Sequence, residues 1–278
     1  MQQAGLNDVD FHRVREIIYA KTGMRFDDTR RAYVEKRVLE RIVATAEADS
    51  TQYLARLRFE RSGHELQTLI NALTVNETYF FREDYQLHCL TKSMLPELLP
   101  SLKRRPLRIW SLPCSTGEEA YSIAIHLLER FDGIDGIDVE IVASDVDTQV
   151  LEAARRGVYH ARSVQYVPPA LLKKYFIAQS DQTWRICDEL RGSIEFNQTS
   201  IVDRVQMLRN DRFDVVFCRN LLIYFDEVSR RLAADNIYEA LQPGGFICLG
   251  HSESMSRISS SFRVRKFEDA IIYQRPAP

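Results

Sequence analysis

Leu107-Arg-Ile-Trp-Ser-Leu-Pro-Cys-Ser-Thr-Gly-Glu-Glu119 joins a short apolar strand to a turn and then to an acidic helix start. The helical pattern continues through Tyr121, Ala124, Ile125 and Leu128 at 3.6-residue spacing. Downstream, Val139-Glu-Ile-Val-Ala143, Phe213-Asp-Val-Val-Phe-Cys218 and Phe246-Ile-Cys-Leu-Gly250 read as further strands. Helical patterns starting near Asp147 and Glu227 follow two of them. Strands that alternate with helices predict an α/β fold, a doubly wound parallel sheet covered on both faces. Pro243-Gly244-Gly245 predicts a tight turn into the last of these strands. Phe262-Arg-Val-Arg265 and Ala270-Ile-Ile-Tyr273 predict a closing antiparallel hairpin.

Outward from this unit the pattern changes. Up to residue 82 proline is absent, and apolar residues recur at helical spacing, as in Phe11-Val14-Ile17-Ile18 and Leu66-Leu69-Ile70-Leu73. An all-helical amino-terminal domain over residues 1–82 is expected, followed by an α/β domain over 83–278. Thr183-Trp-Arg-Ile-Cys187 and Ser193-Ile-Glu-Phe196 flank a polar turn, which predicts a small inserted β-hairpin at about 178–197. The 278 residues carry Lys+Arg 37 against Asp+Glu 39, a net charge of −2, which argues against chain-wide attraction to nucleic acid or an anionic membrane. No apolar run is long enough to cross a bilayer. The amino terminus has no charged start or apolar core of a secretion leader. The five cysteines are odd in number, and none has the spacing of a zinc knuckle or redox dithiol, so no metal site is expected. A cytoplasmic protein with reduced thiols is the expectation.

Several segments carry more polar chemistry than a core needs. The turn Pro113-Cys-Ser-Thr-Gly-Glu-Glu119 has one glycine, so it is neither a dinucleotide fingerprint nor a P-loop. Its two glutamates suit a helix start but would repel a pyrophosphate, so a cationic or zwitterionic ligand fits better. An acidic helix start with no ligand is an equal reading of this segment taken alone. Asp145, at the tip of the second strand, is placed to accept the two hydroxyls of a ribose, and Asp147 to cap the next helix. Asn76-Glu-Thr78-Tyr-Phe-Phe-Arg82 and Cys218-Arg219-Asn220-Leu-Leu-Ile-Tyr224 follow with polar punctuation; Arg82, Asn220 and Tyr224 read as facing the ligand crevice.

These motifs, with Gly250-His-Ser-Glu253, resemble in order and spacing the chemotaxis receptor methyltransferases of the CheR type. The resemblance runs from about residue 8 to residue 275. It implies a class I methyltransferase-like doubly wound sheet with an inserted β-subdomain, S-adenosylmethionine as cofactor and S-adenosylhomocysteine as product. The implied activity is methyl transfer to glutamates of methyl-accepting chemoreceptors, with the receptors' cytoplasmic helical region as partner. By the same resemblance Asn76, Thr78, Arg82, Glu119, Asp145, Ser200, Ile201, Arg219 and Asn220 would contact the cofactor, Glu119 through its amino group. Arg82 and Tyr224 would be catalytic, positioning the incoming glutamate. Ser200-Ile201 stand where the family carries Asn-Leu, and Ala120 where it usually has proline. The inserted hairpin is shorter than in members that dock on a receptor's carboxyl-terminal pentapeptide, so no pentapeptide binding is expected.

An acidic receptor helix calls for a basic surface. Residues 30–42 hold five Lys/Arg against two Glu, and Arg30, Arg37 and Arg41 are spaced to share one face of a helix. They are the expected docking residues; a merely solvated charged face is the plainer reading. Methyl transfer to RNA or a small molecule, and a non-catalytic cofactor-binding signalling module, are the alternatives.

Overall fold

The structure, a computed structural model, describes residues 6–102, 105–179, 182–209 and 212–277. The extreme amino terminus, expected to carry no leader, and two residues of the region expected at about 178–197 to hold the inserted hairpin, Ser180 and Asp181, lie outside them.

Four helices open the chain: α1 (Asp8–Thr22), α2 (Arg31–Ala44), α3 (Ser50–Phe59) and α4 (His64–Leu73). Side-chain caps fix two of their starts, since Asn7 accepts from the Asp10 N–H and Asp49 from the Gln52 N–H. Their apolar stripes, Phe11, Val14 and Ile18 on α1 and Leu69, Ile70 and Leu73 on α4, turn inward as the spacing predicts. After α5 (Tyr85–Cys89) and α6 (Leu95–Leu98) the chain enters a seven-stranded sheet of order β6-β2-β1-β7-β8-β10-β9. Its strands are β1 (Leu107–Ser111), β2 (Val139–Asp145), β6 (Ile194–Gln198), β7 (Phe213–Cys218), β8 (Leu241–Leu249), β9 (Arg263–Lys266) and β10 (Ile271–Gln274). The first five in space run parallel, and β10 and β9 close the edge antiparallel. Helix α7 (Glu118–Arg130) follows β1 and α8 (Thr148–Arg156) follows β2. The strand order reverses between β1 and β7, the switch point where open α/β sheets bind ligands.

Period-two alternation divides the sheet residues between two cores. Ile109, Ile141, Ala143, Val215, Phe217, Phe246 and Cys248 pack with Tyr121, Ile123 and Ile125 of α7. Trp110, Val142, Val216, Ile247 and Leu249 face the other way, and the core they join also contains Phe11, Val14, Ile18, Leu69 and Leu73. The helical bundle and one face of the sheet therefore share a continuous core.

Two expectations are corrected. The segments Thr183-Trp-Arg-Ile-Cys187 and Ser193-Ile-Glu-Phe196 do not form a hairpin with each other. The first is β5 (Thr183–Ile186), in a separate three-stranded sheet between β3 (Val158–His160) and β4 (Phe176–Ala178). The second is β6, which pairs in parallel with β2 from Ile141↔Ile194 to Asp145↔Gln198 and forms an edge of the main sheet. Parallel pairing buries Ile194 against the α7 side of the sheet, which a two-stranded hairpin could not do. The other correction concerns Pro243-Gly244-Gly245, which lies inside β8 as an irregularity where the register against β7 shifts between Phe213 and Val215.

Candidate active site

The carboxyl ends of β1, β2 and β7 and the segment leaving the helical bundle enclose one crevice of about 1190 Å³, open solvent included. Asn76, Thr78, Arg82, Glu119, Asp145, Ser200, Ile201, Arg219, Asn220 and Tyr224 all line it. Leu73, Val146, Leu112 and Phe225 supply apolar wall.

The turn after β1 is built around Gly117, at φ +94°; a Cβ there would lie 3.0 Å from the Ala154 Cβ and 3.2 Å from the Tyr121 ring. Of the paired glutamates only one faces the crevice. Glu118 is turned away and accepts from Thr116 Oγ1 (2.6 Å) and Ser163 Oγ (3.0 Å). Glu119 accepts from Ser111 Oγ (2.6 Å) and pairs with Arg219 Nη1 (3.0 Å). Burial raises the Glu119 carboxyl above the usual range, with Arg219 pulling the other way. Asp145, 3% exposed, accepts from the backbone N–H of Ser115 (2.9 Å) and of Asp147 (3.0 Å). Burial pushes its carboxyl up to about 6, the two backbone donors offsetting part of the effect.

Arg219 sits at the centre. Its Nη2 donates to the Arg82 carbonyl (2.6 Å) and pairs with Glu83 (3.2 Å), whose other oxygen contacts His251 Nδ1 (2.8 Å). Its Nε is buried with no partner among the described residues. Four non-glycine residues around the crevice hold positive φ: Phe81 (59°), Glu83 (52°), Ser115 (48°) and Asn220 (58°). Such backbone is costly unless pinned. Here Ser122 Oγ accepts from the Phe81 N–H, Asp145 from Ser115, and Glu253 from the Asn220 N–H (2.8 Å). Glu253 also accepts from the N–H groups of Leu222 (2.7 Å) and Gly250 (2.8 Å). At Gly250 a Cβ would meet Asn220 Nδ2 at 2.6 Å, so only glycine lets these loops approach. Sequence reasoning quoted Glu253 without giving it a role and passed over Glu83, although it adjoins Arg82.

Tyr224 is held by surroundings other than its hydroxyl. The Arg25 N–H donates to its carbonyl (3.0 Å), the Arg30 guanidinium lies 5.4 Å from its ring, and its hydroxyl has no hydrogen bond among the described residues. Arg82 donates to the Glu77 carbonyl (2.8 Å), stacks over Tyr79 and has no carboxylate partner among the described residues, the Glu77 carboxylate being paired with Arg162 instead. Ser200 Oγ donates to the Lys21 carbonyl (2.8 Å), which leaves the hydroxyl oxygen only an acceptor role toward any other partner.

The three expected docking arginines have different partners. Arg30 directly precedes α2 and lines the crevice. Arg37 pairs with Glu40 (3.0 Å) over the Tyr33 ring. Arg41 is engaged within the bundle: its Nε and Nη2 bond both oxygens of Glu65 (2.9 and 2.7 Å), which is buried and also accepts from the Tyr53 hydroxyl (2.8 Å). That bidentate pair ties α2 to α4. Arg41→Ala is expected to lower stability by about 2–3 kcal/mol, because it strands a buried carboxylate; the Arg41 side chain is a quarter exposed, so the effect stays below that of a fully buried pair. Thermal melts of the variant check this; an unchanged melting temperature would show the pair to be dispensable.

The chain matches the family model described as "CheR methyltransferase, all-alpha domain" over residues 9–74 and "CheR methyltransferase, SAM binding domain" over residues 76–271. The chain belongs to the CheR methyltransferase family. It is similar to Chemotaxis protein methyltransferase 2 of Vibrio cholerae, with 47% identity over 99% of this chain and 96% of that protein. It is also 34% identical to the Chemotaxis protein methyltransferase of Salmonella typhimurium, over 95% of this chain and 90% of that protein. The CheR chain is thus an S-adenosylmethionine-dependent methyltransferase of the chemotaxis kind, with a class I methyltransferase sheet behind an all-α domain. Among the described residues no helix is long and apolar enough to cross a membrane.

Proposed function

We propose that this CheR methyltransferase esterifies glutamate side chains in the cytoplasmic helical region of methyl-accepting chemoreceptors, working in the cytoplasm. The observation that carries the reading is the crevice at the switch point. Two buried carboxylates, Glu119 and Asp145, stand on its floor, while Tyr224 with a free hydroxyl and Arg82 without an ion pair stand at its side. These residues fit the cofactor. Asp145 would accept from the ribose hydroxyls and Glu119 from the ammonium. The unpartnered Arg219 Nε supplies a donor for a carboxylate, and Val146 and Ile201 give an apolar wall beside Ser200 for the base. Asn76, Thr78 and Asn220 would complete the enclosure. S-adenosylmethionine supplies, when bound, a methyl group on a cationic sulfur.

A glutamate carboxylate, with an ordinary pKa of about 4.3, is already ionised at neutral pH, so no general base is needed. The work of the protein is alignment and exclusion of water, which in favourable systems lowers a barrier by roughly 7–11 kcal/mol. The Tyr224 hydroxyl donates to the carboxylate and aims it. Arg82 attracts it without a fixed partner of its own, and Arg30 in the crevice lining adds a cation that an acidic helix would approach. Arg37 stays on the outer face of α2, where reversal to glutamate tests receptor docking. The separate β-sheet presents edges of only three residues, β3 and β4, few groups for pairing with an added strand, so no binding of a receptor-tail pentapeptide is expected. The net charge of −2 speaks against RNA as the acceptor. Incubation with radiolabelled cofactor and receptor-containing membranes should give base-labile label on the receptor. Base-stable label, or tight cofactor binding without transfer, would rule out a glutamate methyl ester as product and with it this function.

The buried carboxylates make cofactor affinity pH-dependent. Asp145 must be ionised to accept two hydroxyls, and its free-enzyme pKa lies near 6. The sign is therefore a loss of affinity on acidification: the dissociation constant of S-adenosylhomocysteine should rise by up to about tenfold per pH unit below 6. Glu119, raised by burial, acts in the same direction. Calorimetric titrations from pH 5 to pH 8 check it, and a flat profile would remove Asp145 from the site. The stability of the free protein moves the opposite way: a raised carboxyl pKa favours the folded state at low pH, and that contribution is lost as pH rises through about 6.

A further inference from the structure

Two aspartates outside the assigned set each do more than cap a helix. Asp147, 1% exposed, caps α8 with Oδ1, which accepts from the N–H groups of Gln149 (2.8 Å) and Val150 (3.3 Å). Its Oδ2 accepts from Thr74 Oγ1 (2.6 Å) and Asn76 Nδ2 (2.8 Å), on the segment that leaves the helical bundle. Alongside, Asn71 Nδ2 donates to Thr148 Oγ1 (2.9 Å), the Thr148 N–H donates back to Asn71 Oδ1 (3.1 Å), and Gln67 donates to the Val146 carbonyl (2.9 Å). Asp226 repeats the arrangement on the other wall. Its Oδ1 accepts from the Ser229 N–H (2.9 Å), capping the helix Glu227–Ala240, and from the Tyr19 hydroxyl (3.0 Å). Its Oδ2 pairs with Arg25 (3.2 Å). Next to it Met24 bridges Phe225 and the Arg25 N–H holds the Tyr224 carbonyl.

A cap needs one acceptor, and serine supplies it about as well as aspartate. The additional bonds of Asp147 land on Thr74 and Asn76, within the segment 73–79 that walls the crevice, and those of Asp226 land on Tyr19 of α1 and on Arg25, which lines the crevice and holds the Tyr224 carbonyl. We infer that Asp147 and Asp226 are positioning residues, two latches that seat the bundle over the crevice. Asp147 fixes the wall that carries Asn76 and Thr78, and Asp226 fixes the wall that carries Tyr224. The assignment of the second latch to turnover rests on the role proposed for Tyr224; the first does not.

Asp147→Ser and Asp226→Ser keep a cap acceptor and lose the grip on the bundle. Thr74→Val and Tyr19→Phe break the same contacts from the bundle side and leave both caps intact. In the full chain, Asp147→Ser and Thr74→Val should raise the dissociation constant of S-adenosylhomocysteine roughly tenfold, the scale of one charge-assisted hydrogen bond, with kcat at saturating cofactor held within about twofold. Asp226→Ser and Tyr19→Phe should do the reverse: kcat on receptor membranes falls roughly tenfold while the dissociation constant holds. A shift of melting temperature with neither constant moved, or equal movement of both constants at both positions, is what ordinary capping would give, and either overturns the inference. If the unsubstituted protein labels no receptor, the proposed function fails instead, and the binding arm at Asp147 still decides the latch.

Discussion

Asp145→Ala is expected to weaken S-adenosylhomocysteine binding by about 100-fold while the protein stays folded. The loss follows from removing an anionic acceptor of two hydroxyl hydrogen bonds; bonds to charged groups contribute about 1.5–3 kcal/mol each, and two at the lower end of that range give a factor on the order of 100. The opposing terms in stability nearly cancel. Burial lifts the Asp145 carboxyl from 3.8 to about 6, so keeping it ionised at pH 7 costs the folded protein on the order of 3 kcal/mol, which alanine relieves. Against that, the N–H groups of Ser115 and Asp147 lose their acceptor, at about 1–3 kcal/mol each. The melting temperature should therefore move little beside the change in affinity. Asp145→Asn keeps one acceptor oxygen and should lie between, near tenfold. Calorimetry on both variants, with melting curves, separates binding from folding. A dissociation constant for Asp145→Ala within about threefold of the parent would mean that this carboxylate does not hold the sugar.

Tyr224→Phe should lower kcat by roughly 10- to 100-fold and leave cofactor affinity within about twofold. The substitution removes one oxygen and no packing. The ring stays where the Arg25 N–H on its carbonyl, Arg30 over its face and the bridge between Met24 and Phe225 put it. Only the donor that aims the acceptor carboxylate is lost, and misalignment by about 1 Å is enough for such an effect. Equal damage to binding and turnover would place the hydroxyl on the cofactor instead. Single-turnover rates at saturating cofactor make the distinction.

Much of the crevice was legible before the fold was seen, because a parallel α/β sheet brings the ends of its central strands together whatever lies between them in the chain. Glu119 after β1, Asp145 at the end of β2 and Arg219-Asn220 after β7 therefore meet. The strand Ser193-Ile-Glu-Phe196 shows the limit. Its alternation fits an antiparallel hairpin with its neighbour and a parallel edge strand equally well, and only the partner β2, about fifty residues earlier, distinguishes them. The charge on Arg41 was equally visible, but not the buried carboxylate of Glu65 that neutralises it from another helix.

Composition and periodicity by themselves determined an all-helical start and a doubly wound sheet with Asp145 at a strand tip, since those depend on local pattern and chain order, and the family resemblance of the ordered motifs added the roles of Glu119, Arg82 and Arg219. Tertiary structure alone decided which charged groups remain free to act. Arg219 is gripped by Glu119 and Glu83, Arg41 by Glu65, and Asp147 and Asp226 by the helical bundle, while the Tyr224 hydroxyl is left open. The reason is physical: a charge buried among distant elements takes its partner from whatever packing brings within about 3 Å, and sequence separation does not enter that distance.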